Sequence, residues 1–214
     1  MNTESLFIIL SGIPWTLAIT AGAFVFGALL GIPLCAMNVS RSRLLHYLAT
    51  AIILTFRSIP PIVCLFFLYF GIGSGYLRIG PIEASIVALG IITGANMAEI
   101  YRGALKSIHV GQWEASHALN MPRWSVFFDI MAPQLVRVIL PSATSYIIGL
   151  LKDSAIASTV GVAEVAFQAN FVSRRQFEGL EVFAVAGLLY ILISLPVAAL
   201  ARYSDSVMRA KVAR

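Results

Sequence analysis

The sequence predicts an all-α transmembrane fold, a single bundle of about five spans with a helical loop on the cytoplasmic side. Three observations carry that prediction. The chain is 59% hydrophobic and only 12% charged, where a soluble domain carries about 25% charged residues. No Asp, Glu, Lys or Arg occurs over 5–40, 58–77 or 182–201, and a span needs about 20 mostly apolar residues. A polar island at 111–120 is flanked by greasy segments on both sides, so it reads as a loop between two spans.

The spans are placed at 15–37, 46–71, 82–101, 135–160 and 180–201. The first follows an N-terminus with no basic region ahead of the apolar run, so no cleaved signal peptide is expected. The second contains Phe56-Arg57-Ser58-Ile59-Pro60-Pro61, where adjacent prolines remove two helix donors and make a kink. The fourth belongs to an apolar stretch over 138–167, too long for one span and interrupted by Lys152-Asp153. It is expected to be bent or broken and followed by a partly embedded outer segment. The fifth fills the last charge-free window. Four or six spans fit the same windows, and residues 1–214 read as one membrane domain with its loop at about 103–134.

Basic residues orient the bundle. With the N-terminus outside, Arg41, Arg43, Arg102, Lys106, Arg123, Arg137, Arg202, Arg209, Lys211 and Arg214 lie inside, and Arg78, Arg174 and Arg175 outside. That is the positive-inside pattern. The net charge of +5 follows from topology and gives no argument for nucleic acid.

The island reads as a helix-turn-helix. Residues 113–119 contain no breaker, and Asn120 can stop the helix, since Asn is the best residue after Gly for the left-handed position past a helix end. Pro122 fits the first turn of a second helix. There Trp124, Phe127, Phe128 and Met131 fall at helical spacing and make one apolar stripe, expected to pack on the bundle. A structured loop of this kind suits docking of a soluble partner. Ala115 and Ser116 are small enough for its close approach.

Charges inside a membrane cost about 3 kcal/mol each on insertion scales and need a partner or a function. Arg57 lies beside the proline pair, and irregular backbone at membrane depth survives only inside protein or beside water. Glu99 precedes Arg102 by three residues, an ordinary helical ion-pair spacing, and reads either as that pair or as part of a path. Lys152 and Asp153 point about 100° apart on a helix and cannot simply satisfy each other. Pairing with other helices and contact with a ligand both remain open for them.

Other chemistries find no support. His46, His109 and His117 share no ligand spacing and read as surface histidines, and Cys35 and Cys64 have no metal-site spacing. No G-x-x-x-x-G-K-S/T pattern, nucleophile elbow or H-E-x-x-H motif occurs. A secondary transporter or channel would also use proline-broken helices and buried charges, but it has no need of a docking loop. An embedded enzyme would need convergent nucleophile, base or metal ligands.

The island resembles the EAA loop of ABC-importer permeases. Glu114-Ala115-Ser116 stands for E-A-A, Asn120 for its glycine, Ile130 for its isoleucine and Pro133 for its proline. Ala118 and Leu119 lie between these positions, and Ala132 in place of leucine loses packing volume. Three further stretches are similar to the polar amino-acid branch of that family. They run from Phe56-Arg57-Ser58-Ile59-Pro60-Pro61 to Gly71, from Ala98-Glu99-Ile100-Tyr101-Arg102-Gly103 to Gln112, and from Leu151-Lys152-Asp153-Ser154 to Glu164. The resemblance implies a permease of the bacterial inner membrane that takes up amino acids or a related small polar solute. It also implies two cytoplasmic ATP-binding subunits carrying the ATP and magnesium, a second permease copy or paralogue, and an amino-acid-binding protein outside. The chain itself would be no enzyme and would bind no cofactor.

Overall fold

The computed structural model describes residues 2–73, 78–177 and 179–210, with Ala201 and residues 204–210 as backbone only. Among the described residues the chain is helical and has no strand. Helices α1 (Thr3–Leu10), α2 (Ile13–Asn38), α3 (Arg43–Ser58), α4 (Pro61–Phe66) and α5 (Pro81–Ser107) make the first half. Helices α6 (Val110–Ala118), α7 (Arg123–Ser125), α8 (Ala132–Asp153), α9 (Val165–Gln176) and α10 (Gly179–Ala210) make the second. Among the described residues four continuous helical stretches are long and apolar enough to cross a membrane, and a fifth span is counted if α3 and the helix after it are one broken crossing. Of the basic residues that orient the sequence, Lys211, Arg214 and the Arg209 side chain lie outside the described residues.

The bundle is built on a seam between α2 and α5. Ala23, Gly27, Gly31 and Cys35 recur every four residues on α2, and Gly90, Gly94 and Ala98 do so on α5. Small residues at such spacing let two membrane helices approach closely, where apolar side chains gain nothing over lipid. A Cβ built on Gly27 would sit 2.4 Å from the Thr93 Cβ, and one on Gly90 2.4 Å from the Phe26 ring. Ile19, Ala88 and Leu89 of the seam continue into a core that takes in Leu65, Leu150 and Val160. A second cluster of Ile9, Val165, Ala169, Val172, Val182 and Ala186 binds α1, α9 and α10.

Two predicted elements come out differently. The expected kink in the second span is a turn of 101°. A residue preceding proline is pushed out of the α region, and here both Ile59 and Pro60 are extended, with ψ 128° and 134°. Pro61 then starts α4, and a π-helical turn at Phe67–Ile72 follows. With 16 residues, α3 is about 24 Å long, short of a hydrocarbon core of about 30 Å.

The fourth span starts earlier than expected, because α7 runs through a π-helical turn, Val126–Met131, straight into α8. That turn ends two residues before Pro133, whose ring and missing N–H disfavour an ordinary α turn. A π turn takes in an extra residue, so the stripe expected at 3.6-residue spacing does not stay on one packed face. Met131 is 2% exposed, but Trp124 is 75% exposed and stacks on the exposed Phe128 ring. At the other end the helix does not break at Lys152-Asp153. It tightens into a 3-10 turn, Ser154–Val160, and reverses at Gly161, whose φ of 92° suits a residue without a Cβ.

Candidate functional site

Helix α6 is defined by caps at both ends. His109 is exposed, as its place in the loop suggests, and its imidazole also accepts the Gly111 N–H at 3.1 Å. Past the other end Asn120 takes φ 48°, as its position suggested. The Met121 N–H donates to the Ser116 carbonyl at 3.1 Å and the Asn120 N–H to the His117 carbonyl at 2.9 Å. These two bonds satisfy carbonyls that a helix end would otherwise leave open.

Glu114, Ala115, Ala118, Leu119 and Asn120 are exposed. Ser116 is not. It is 2% exposed, its hydroxyl donates to the Gln112 carbonyl at 2.6 Å, and it lines a cleft of about 310 Å³ with Trp113, Met121, Val126 and Met131. Its small size therefore serves packing inside the loop, while Glu114 and Ala115 hold the free face. Pro133 is exposed in the first turn of α8 and is no part of α6.

A second group of polar residues converges within the bundle. The Arg57 Nε donates to Asn96 Oδ1 at 3.2 Å, and the Asn96 amide donates to the Ile92 carbonyl at 2.9 Å. The Tyr146 hydroxyl donates to Thr93 Oγ1 at 3.2 Å. Arg57 of α3 and Tyr146 of α8 are thus brought to neighbouring positions on α5, and Asp153 lies about two turns past Tyr146 on α8. Asn96, Thr93 and Tyr146 carry no charge, so nothing in the sequence alone separates them from other polar residues of the spans. Glu99 instead faces its own helix, where Arg102 holds it with an Nε bond of 2.8 Å and a second contact from Nη2. The side chains of Lys152 and Asp153 are exposed and, among the described residues, make no hydrogen bond or ion pair with the protein.

Glu164 is a third site that went unnoticed inside a longer matching stretch. Its side chain is fully buried. It caps α9 by accepting the Phe167 N–H at 2.7 Å, and it accepts the hydroxyls of Tyr190 on α10 and Thr16 on α2, the latter at 3.5 Å. One carboxylate therefore ties three helices. Glu164→Gln keeps the oxygen that accepts the Phe167 N–H and turns its amide N–H toward the Tyr190 and Thr16 hydroxyls, which can accept, so the amount of folded protein is expected to stay near wild type. Glu164→Ala leaves a buried hydroxyl and a helix N–H unpaired, at about 1–3 kcal/mol for each group, and should lower the yield of detergent-stable protein severalfold in size-exclusion chromatography.

Comparison with known proteins matches this architecture. A family model for the inner membrane component of binding-protein-dependent transport systems covers residues 23–210. The octopine transport system permease protein OccM of Rhizobium meliloti is 33% identical over 197 residues, 88% of this chain and 80% of its own. The glutamine transport system permease protein GlnP of Escherichia coli (strain K12) is 32% identical over 177 residues, 82% of this chain and 79% of its own. A crystal structure of an amino acid ABC transporter with histidines superposes with a TM-score of 0.86 at 27% identity, covering 96% of this chain and 98% of that one. Family match and helical architecture agree along nearly the whole length, so this multi-pass protein belongs to the inner membrane components of binding-protein-dependent transport systems.

Proposed function

We propose that the chain is the permease of an ATP-driven importer for polar or charged amino acids, or for a related solute such as an opine. Relatives named for glutamine, octopine and nopaline transport support that substrate class. Two cytoplasmic ATP-binding subunits carry the ATP and magnesium, and the chain binds no cofactor. A second permease, identical or paralogous, completes the path, and an amino-acid-binding protein delivers the solute from outside. The N-terminus lies outside and the C-terminus in the cytoplasm. The observation that carries the proposal is α6, a helix capped at both ends whose Glu114-Ala115 face is left uncovered. ATP binding and the loaded binding protein bias one bundle between inward- and outward-facing states.

The path runs along the Arg57, Asn96, Tyr146 and Asp153 face. A free amino acid carries a carboxylate and an ammonium, for which Arg57 and Asp153 are charge-complementary partners. Asp153→Asn keeps the size and removes the charge. A lost charged hydrogen bond of about 1.5–3 kcal/mol corresponds to roughly tenfold to a hundredfold weaker uptake, with the amount of membrane permease unchanged. A fall in folded protein instead would assign Asp153 to a structural ion pair with another subunit. Wild-type uptake and wild-type amount would remove it from the path.

A further inference from the structure

A groove of about 480 Å³ opens on the loop-side half of the bundle between α2, α5 and α8. Its walls are Ile32 of α2 and Val39 just past its end, Leu105 of α5, and Phe127, Val136 and Ile139 of the fourth span. The one phenol in its lining, on Tyr101, donates to the Ala28 carbonyl at 3.1 Å, so its polar tip is already satisfied. The groove runs about 10 Å along α2 and about 18 Å along the fourth span at 1.5 Å per residue. One leaflet of hydrocarbon is about 15 Å deep. A single acyl chain has the length to lie in it.

Position and charge select the occupant. Asn96 and Leu105 are nine residues apart on α5, which puts them about 180° apart around the helix. A second permease that completes the polar face therefore approaches from the side opposite the groove. At the groove's loop end stand three exposed cations. Arg41 follows Val39 by two residues, Lys106 follows Leu105, and Arg123 precedes Phe127 by one turn. Asp129 is the exposed acid nearest in sequence to Phe127, while Glu99 and Arg102 neutralise each other. Cationic side chains at a membrane surface attract anionic lipid.

We infer that the groove holds one acyl chain of an anionic phospholipid, with its phosphate among Arg41, Lys106 and Arg123. The inference rests on the chain's place in a membrane and on the proposed position of a second permease, and is independent of the solute carried. Phe127 lines both this groove and the loop cleft, so the lipid packs directly against the base of the loop.

The test is native mass spectrometry of the whole transporter, stripped of lipid by detergent and titrated with phosphatidylglycerol or phosphatidylethanolamine. One tightly held phosphatidylglycerol per permease chain is expected. Val136→Trp, which fills the groove, should cut its retention at least tenfold. Arg41→Gln with Lys106→Gln should bring the two lipids to equal retention. Unchanged retention in Val136→Trp overturns the inference. So does a disulfide between permease chains through Val136→Cys, which would show a second copy covering the groove. If Val136→Trp fails to assemble, Ala36→Phe fills the same space, and failure of both would mean that protein, not lipid, occupies it.

Discussion

Ala115→Arg is expected to lower uptake at least thirtyfold while the permease remains inserted at its normal amount. The residue lies on the uncovered face of α6 beside Glu114. Arginine is a good helix former, and both caps of α6 lie outside position 115, so the helix itself stays folded. What changes is the uncovered surface proposed for docking, where a long cation replaces a methyl group. Misfilling a packed interface pocket costs about 2 kcal/mol or more, equivalent to roughly thirtyfold in an equilibrium. Uptake, ATP hydrolysis and recovery of the ATP-binding subunits with the permease separate the outcomes. Lost uptake with hydrolysis retained means uncoupling, and lost recovery means detachment. Normal uptake with the ATPase still bound would sink the assignment of α6 as the coupling helix.

Gly27→Leu acts on the fold instead. Even the Cβ of alanine meets Thr93 at 2.4 Å and the Gly90 carbonyl oxygen at 2.7 Å, and the second of these is backbone that cannot rotate away. Overpacking a core typically costs about 1–3 kcal/mol, and a leucine in the α2–α5 seam should exceed that range because both helices must separate. The expected result is almost no monodisperse protein after detergent extraction. Gly187→Leu is the control, since nothing lies within 4 Å of a Cβ there. Equal yields from the two variants would show that the seam does not hold the bundle together.

The contrast between those glycines marks where sequence reasoning stops. Spans were legible because charge is so costly in lipid that its absence over 5–40 or 182–201 leaves few alternatives. Asn120 was legible because the left-handed position past a helix accepts few residue types. The seam was not, although Gly27 and Gly31, like Gly90 and Gly94, stand in plain view, because spacing on one helix does not name its partner. The stripe at Trp124, Phe127, Phe128 and Met131 misled because a single π turn changes the period on which the reading depends. Glu164 was invisible for a different reason. A buried carboxylate is made tolerable by Thr16 and Tyr190, which are distant in the chain. Ser116 shows the same limit at close range, since its smallness was evident and the direction it faces was not.

The unbroken helix from Arg123 to Val160 has a mechanical consequence. Its 38 residues reach about 57 Å at 1.5 Å per residue, longer than a bilayer with its headgroups, about 40–45 Å. No break interrupts the helix between the end that carries Arg123 and the end that carries Lys152 and Asp153, although Pro141 removes one of its backbone hydrogen bonds. The stretch is a pushrod with a loosened turn at one end and a tightened turn at the other. From Phe127 to Asp153 is about 39 Å of rod, so a tilt of about 10° at the near end sweeps the far carboxylate by about 7 Å.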